Sequence, residues 1–195
     1  MWILWLEWVM LAVLVFWCLG ALKRLKRLRT SCKHAFSGVD AQFVQVVELM
    51  RSCARMQALK EQVATIYTQH AQQSLLPSAD LLENALQQAR QHPMRRETIA
   101  ALDSAWQGAQ VAWQAYVQLS AGQSAVHAEH VQEWSQRWTQ LDTLQTHSTA
   151  QFNTAVEDYN FAIAQFPACM IAPIIGHRSG RIFQKDAAPQ VQPTA

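Results

Sequence analysis

Three side chains close together in the sequence have the types and the spacing that a helix needs to bind a metal ion. His127, His130 and Glu133 follow one another at three-residue steps, so a helix would place them on one face. A di-metal carboxylate bundle, however, needs a Glu-x-x-His pair on each of two helices, and the sequence has no second such pair. We therefore expect this face to be solvated, and we predict no metal site and no other cofactor.

Two asparagines form a second candidate site. Asn153 and Asn160 are seven residues apart, on nearly the same side of a helix, and Tyr159 lies next to them. They could bind a ligand, or they could hydrogen-bond between helices and fix the helix register. Because an unpaired buried amide is costly, we predict the second role.

The cysteines are scattered along the chain. Cys32 and Cys53 would lie about 31 Å apart on one helix, which is too far for a disulfide. No pair has the spacing of metal ligands, so we predict small core residues in a reducing compartment at all four positions: Cys18, Cys32, Cys53 and Cys169. No Gly-rich phosphate loop or Ser-His-Asp set can be placed, so we predict no enzyme, no catalytic residue and no small-molecule substrate.

The positive charge of the chain is concentrated in one short segment. A formal net charge of +2 is too small for a typical nucleic-acid-binding protein, so no nucleic-acid partner is predicted. A basic cluster directly after an apolar run is instead a membrane-topology signal. Five basic residues follow the apolar N-terminus in this way: Lys23, Arg24, Lys26, Arg27 and Arg29.

The apolar N-terminus, residues 1–22, is predicted to be a transmembrane anchor. Between Trp2 and Leu22 the only charged residue is Glu7, and about 21 residues at 1.5 Å each cross the roughly 30 Å of a hydrocarbon core. Tryptophan prefers the headgroup level of a bilayer. Tryptophans lie towards both ends of the segment, at Trp2, Trp5, Trp8 and Trp17.

A cleaved signal peptide is the main alternative to an anchor. Its basic residues would precede the apolar run, and this chain reverses that order, so we predict that the anchor is retained. Because Lys and Arg stay on the cytoplasmic side, the N-terminus is predicted outside and the bulk of the chain in the cytoplasm. The basic segment 23–29 is predicted to continue into the first helix and to touch anionic membrane lipid.

Apolar periodicity predicts an all-α domain behind the anchor. Gly38 is the only glycine or proline between Gly20 and residue 60, so the anchor and the first helix are expected to form one rod. The apolar stripe of that helix is Phe36, Val39, Phe43, Val46, Met50 and Cys53. After an extra three-residue step, which resembles a stammer, it is predicted to continue through Met56, Leu59, Val63 and Ile66.

Three further helices are predicted, over residues 77–91, 94–120 and 124–166. Pro77 with Ser78 indicates the first start, Pro93 ends that helix, and Pro167 stops the last one. Long helices with short connections pack antiparallel, so we expect an elongated antiparallel bundle of about four helices, two of them long. Residues 187–195 are predicted to be a disordered tail.

The inner faces of the last two helices are rich in aromatic residues. Trp106, Trp113, Trp134 and Trp138 stand at helical spacings, which favours core packing over a binding site. The inner stripe of the final helix is predicted to be Val131, Trp134, Trp138, Leu141, Leu144, Phe152, Val156, Tyr159, Ile163 and Phe166. The segment 168–185 has two alternatives: it folds back on the bundle, which we expect, or it meets the membrane.

The chain resembles the LemA family in two regions. The C-terminal signature of that family is carried here by Phe152, Asn153, Val156, Tyr159, Asn160, Phe166, Pro167, Gly176 and Phe183. The segment after the membrane helix resembles that of the family at Leu28, Arg29, Ala35, Phe36, Val39, Asp40, Gln42 and Phe43, with Phe36 in place of a usual Trp. Between Val46 and Ser52 the chain departs from the family, which has paired arginines and an Asp-Leu-Ile-Pro-Asn-Leu stretch there.

This resemblance implies a single-pass protein of a bacterial cytoplasmic (inner) membrane, with a LemA-like helical bundle over residues 30–186 and no established enzymatic activity. One branch of the family is associated with building magnetosome membranes, which implies a role in membrane organisation or shaping. The expected function is a scaffold or adaptor that recruits other membrane-associated proteins or assembles with copies of itself. A sensory or regulatory membrane-anchored coiled-coil protein is the alternative.

Overall fold

The chain is built from helices throughout the part described by the structure, a computed structural model that covers residues 2–60, 66–120, 125–173 and 175–184. No strand occurs in these residues, so the predicted all-α class is confirmed. The helices are α1 (Trp2–Lys60), α2 (Ile66–Gln91), α3 (Arg96–Ser120), α4 (Ala125–Ala164) and the short α5 (Ala168–Ile171). The predicted tail, 187–195, lies outside the described residues.

Helix α1 is one unbroken rod of 59 residues, as the sequence predicts. Gly38 does not interrupt it, because this glycine lies on the outer face with no atom within 4 Å of the position of a Cβ. The apolar side chains described before Gly20 are mostly exposed, whereas the inward face from Leu25 onward is buried. This helix is long and apolar enough to cross a membrane.

The inner stripe of α1 agrees with the predicted spacing. Buried apolar residues extend along one face as Leu25, Cys32, Phe36, Val39, Phe43, Val46, Met50 and Cys53. Met56 is an exception, because it is 41% exposed although the stripe predicts it inside. Cys53 and Ala54 are the last buried positions of α1 whose side chains are described. Leu59, Val63 and Ile66 lie outside the described side chains.

Two neighbours cover this stripe, and their residue numbers fall as those of α1 rise. Along α4, Gln165 lies just after the helix against Arg24, and Phe152 packs edge-to-face on Phe36. Along α2, ion pairs join α1 to residues in the same reversed order: Arg90 with Asp40, and Arg51 with Asp80 and Glu83. Helix α1 therefore forms the common wall against which α2 and α4 pack, and α3 packs mainly on α2.

The predicted start of α2 at Pro77 is wrong. The helix begins before Pro77 and passes through it, so Pro77 and Ser78 lie inside α2. A proline inside a helix removes one backbone hydrogen bond and costs roughly 3 kcal/mol. Leu75 and Ala79 are fully buried on either side of Pro77, and burial of this continuous apolar face offsets that cost. The predicted end at Gln91 is confirmed.

The centre of the bundle is a stack of tryptophans. Trp113 lies parallel to Trp138 with ring centroids 4.6 Å apart, and Trp106 stacks on Trp138 at 5.6 Å. Phe43 of α1 packs edge-to-face on Trp106 at 5.5 Å. Core packing, predicted for these tryptophans, is confirmed, and Trp134 is partly buried beside them.

Leu144 does not belong to the inner face, although the sequence predicts it there. It is 48% exposed, and Gln145 occupies the inner position instead, where it donates to the Thr149 hydroxyl. From Leu141 the buried line takes a four-residue step to Gln145 rather than a three-residue step to Leu144. A polar residue is accepted there because a neighbour satisfies its hydrogen-bond donor.

Replacement of Trp138 should test the tryptophan stack. Trp138→Ala removes the ring between two others, and we expect the free energy of unfolding to fall by about 3–5 kcal/mol. Urea denaturation of the full chain in lipid nanodiscs, followed by circular dichroism, measures this change. The matched control on the same helix is Leu144→Ala, whose effect should stay below about 0.5 kcal/mol. Equal effects of the two substitutions would contradict the assignment of the core.

Candidate functional site

The tryptophans of the predicted anchor fall into two groups. Trp2, Trp5 and Trp8 are largely exposed. Trp17 instead packs edge-to-face on Phe166, with ring centroids 5.1 Å apart. The end of the bundle therefore reaches back along α1 to a position inside its apolar stretch.

The basic residues that follow the anchor surround α1 at this end of the bundle. Lys23, Arg24, Lys26, Arg27 and Arg29 are all exposed. Arg24 donates to the Gln165 side chain at 3.1 Å, and Leu25 beside it is fully buried. The basic collar, as we name these five residues, thus lies where the end of α4 meets α1.

The prediction that Phe166 is a core residue is wrong. Phe166 is 56% exposed, because α4 ends at Ala164 and the chain turns before Pro167. Buried Ala162 and Ala168 make the close contact in its place. Met170, on the short helix that follows, is 65% exposed. Phe166 lines a surface hollow together with Arg24 of the collar. We name the exposed apolar side chains Phe166 and Met170 the apolar tip.

Beyond this tip the chain folds back on the bundle, which was the expected alternative, and two asparagines hold it. Asn153 accepts from the Phe183 amide at 2.8 Å and donates to the Phe183 carbonyl at 3.2 Å. Asn160 makes the same pair of bonds with Gly180, at 2.8 and 2.9 Å. The predicted bonds between helices are wrong, because both amides bind the backbone of the C-terminal segment.

The spacing of these two amides matches the geometry of an extended chain. Seven residues of α4 separate the asparagines, which is about 10.5 Å along a helix. Three residues separate Gly180 from Phe183, which is about 10 Å along an extended segment. Each amide can therefore satisfy a backbone N–H and C=O together. We name Asn153 and Asn160 the asparagine clamp; it holds residues 180–183 alongside α4, with the chain running in the opposite direction.

Packing fixes the same segment. A Cβ at Gly180 would lie 3.0 Å from a Val156 methyl carbon, so a larger residue would require Val156 to shift. Phe183 is buried and meets Phe152 edge-to-face at 5.5 Å. Gly176 has φ +75°, a conformation that glycine adopts without strain and that turns the chain back.

Tyr159 and His177 form the one polar contact of the clamp that titrates near neutral pH. The Tyr159 hydroxyl lies 2.8 Å from Nδ1 of His177. Burial raises the pKa of Tyr159, so the hydroxyl stays protonated. It can therefore donate a hydrogen bond to Nδ1 of a neutral imidazole. Burial, and then the charge of Arg29, lower the pKa of His177. Protonation of the imidazole is disfavoured in the folded chain because it would place a partly buried positive charge near that of Arg29.

A cleft of about 500 Å³ opens beside the clamp, where four separate segments meet. Its basic lining residues are Arg29 and Lys33 of α1, Arg95 of the α2–α3 turn, and Arg178 of the C-terminal segment. Lys33 and Arg95 were not predicted to be site residues. The sequence could have indicated Lys33, since it lies four residues from Arg29 on the same helical face. No sequence pattern indicates Arg95, because only the fold brings it to the cleft.

The remaining candidate residues have structural surroundings. Asp40 pairs with Arg90 at 2.7 Å, and the buried carbonyl oxygen of Gln42 accepts no hydrogen bond from the described residues. Among the side chains that the structure describes, no group of three His, Cys, Asp or Glu could hold a metal. His130 packs on Trp134, and His127 lies outside those side chains.

The prediction of four core cysteines holds for only two. Cys32 and Cys53 are fully buried, and burial raises the pKa of their thiols to about 11 and about 12. Cys18 is half-buried and Cys169 is exposed, because they lie on α1 and α5 where other helices cover less of the surface. Neither buried thiol has the lowered pKa of a reactive cysteine.

Comparisons with known proteins find no match: no family model, no curated protein and no solved structure is similar to this chain.

Asn160→Leu should release the C-terminal segment. The Gly180 N–H and C=O lose both partners, at about 1–3 kcal/mol, which corresponds to roughly a 5- to 150-fold change in the opening equilibrium. We expect trypsin to cut after Arg178 and Arg181 faster by that factor, as measured by mass spectrometry of timed digests. Glu157→Leu, at an exposed position of the same helix, is the control. Equal cleavage of the two variants would exclude a clamping role for the amide.

The contact between Tyr159 and His177 predicts a pH dependence of stability. Because the pKa of His177 is lower in the folded chain than its ordinary value of 6.5, its stabilising effect is complete above that pH and is lost as the pH falls below it. Melting temperatures between pH 7.5 and 5 should therefore fall more steeply for the wild-type chain than for His177→Asn, whose amide oxygen accepts from Tyr159 at every pH. Identical profiles would contradict this prediction.

Proposed function

We propose that this chain is a non-enzymatic scaffold or adaptor of the LemA type, anchored in a bacterial cytoplasmic membrane by residues 1–22. In this proposal the N-terminus lies outside, and an antiparallel helical bundle lies against the cytoplasmic face, where it organises or shapes the membrane. The bundle acts through lipid and through other membrane-associated proteins or copies of itself.

One observation carries the proposal: the bundle packs directly against the apolar stretch of α1. The contact between Trp17 and Phe166 joins the end of α4 to that stretch, and no flexible linker separates anchor from domain. A domain fixed in this way transmits any force or partner binding to the anchor. This supports a role at the membrane surface over a role at a distance from it.

The chemistry of the surface near the collar supports the same placement. Phe166 and Met170 are exposed apolar side chains, and Phe166 lines a surface hollow together with Arg24 of the basic collar. Apolar groups favour the boundary of the hydrocarbon core, and basic groups favour anionic headgroups just beyond it. The apolar tip and the basic collar together thus have the chemistry of a surface that rests on a bilayer.

Orientation follows from the collar and is testable with a fusion. Alkaline phosphatase joined to the C-terminus should be inactive in cells, because Lys and Arg residues retain the bundle in the cytoplasm. In the control, glutamine replaces all five collar residues, Lys23, Arg24, Lys26, Arg27 and Arg29, and part of the population should invert and become active. Strong phosphatase activity of the unchanged chain would overturn the proposed orientation.

Photo-crosslinking in native membranes tests the scaffold. A photoreactive residue replaces Val111 of α3 or Phe161 of α4, both exposed apolar positions outside the anchor. We expect adducts with a second copy or with one other membrane protein, identified by mass spectrometry. The same residue at polar Gln118 is the control for random collisions. Absence of any adduct above that control would contradict the scaffold and would favour the sensory coiled-coil alternative.

A further inference from the structure

We propose that the cleft between α1, the α2–α3 turn, α4 and the C-terminal segment binds a phosphate-bearing anion about the size of a lipid headgroup. Four basic residues, Arg29, Lys33, Arg95 and Arg178, line it, and no Asp or Glu is among the lining residues that the structure describes. These four like charges come from three segments of the chain, and a bound anion would relieve their mutual repulsion.

Among the described residues, no acidic side chain forms an ion pair with the four basic residues of the cleft. The three ion pairs in this part of the chain involve Arg51 and Arg90, both outside the cleft. Arg29 also acts on His177 beside the cleft, where burial and then the charge of Arg29 lower the pKa of the imidazole. A bound anion would meet a positive field from several directions.

The shape and hydrogen-bonding groups of the cleft suit a phosphate ester. Arginine presents a planar fork of donors that matches phosphate oxygens, and three of the four basic residues are arginines. Gln91 and His92 add polar groups that could bind hydroxyls. A volume of about 500 Å³ is also within the range of about 300–1,000 Å³ that small-molecule sites occupy.

The height of the cleft above the anchor leaves two sources for the anion. Arg29 lies seven residues after Leu22, or about 10 Å along α1, and Lys33 lies about 16 Å along it. The headgroup layer on each side of a bilayer is roughly 5–8 Å thick. The ligand is therefore either the headgroup of an anionic lipid that projects from this layer or a soluble phosphate ester. The lipid source rests on the proposed membrane anchoring, and the soluble source does not.

Two binding experiments on the full chain separate these sources. In the first, glycerol 3-phosphate is titrated by calorimetry into the chain in maltoside micelles without phospholipid, with sodium chloride at equal ionic strength as the blank. In the second, the chain is placed in nanodiscs of phosphatidylcholine and phosphatidylglycerol, and native mass spectrometry counts the phosphatidylglycerol molecules that remain bound. Binding in the first experiment indicates a soluble ester, and retention in the second alone indicates lipid.

Two double variants with the same loss of charge test the location. Arg95→Gln with Arg178→Gln removes two cleft residues, whereas Arg96→Gln with Arg181→Gln removes neighbours that do not line the cleft. We expect the first pair to weaken binding at least about tenfold and the second less than about twofold. All four positions are solvent-accessible, so both variants should fold, which melting temperatures will verify.

Two outcomes would overturn the proposal. The first is equal loss in the two double variants, which would indicate attraction to net charge without a site. The second is absence of binding in both experiments. Failure of the chain to co-purify with nanodiscs would instead contradict the proposed anchoring, and the experiment in micelles would still decide whether the cleft binds a phosphate ester.

Discussion

The continuity of α1 is the constraint on which the rest of the structure depends. A helix of 59 residues extends about 88 Å, far beyond the roughly 30 Å of a hydrocarbon core. Its first part exposes apolar side chains in all directions, and its later part buries only one stripe. Because the helix does not break between them, the orientation of the stripe and the direction of the apolar part are fixed together. Every helix that packs on the stripe is therefore held at a fixed orientation to the apolar part of α1.

The asparagine clamp is the second constraint, and it completes the end of the bundle. Without it, residues 177–184 would have no helix or strand to satisfy their backbone groups. Asn153 and Asn160 satisfy two residues fully, and Phe183 inserts into the core beside Phe152. The C-terminal segment thus becomes a wall of the cleft and brings Arg178 towards Arg29, although about 150 residues separate them in sequence.

Sequence periodicity predicts those features of the fold that one helix decides by itself. The buried stripe of α1 and the tryptophan positions follow from spacings of three and four residues, and the end of α2 follows from Pro93. The errors concern features that neighbours decide. Pro77 lies within a helix because flanking residues are buried. Gln145, and not Leu144, lies on the inner face of α4, and Phe166 is exposed because α4 ends before it. The asparagines bind a segment whose approach depends on Gly176 and Gly180, which local patterns do not reveal.

The distribution of charge along α1 explains why a ligand site and an anchor would share one end of the bundle. Farther from the apolar stretch, Asp40 and Arg51 of α1 pair with opposite charges on α2, so the chain neutralises itself there. Nearer to it, Arg29 and Lys33 face two more cations across the cleft. Exposed like charges repel only weakly in water, because salt screens them. Beside a bilayer with a negative surface the same cations are attracted, by about 1 kcal/mol each. In the proposed orientation, an arrangement that costs little in solution becomes favourable at the membrane, and the proposed site in the cleft would add a defined position for one anion to this general attraction.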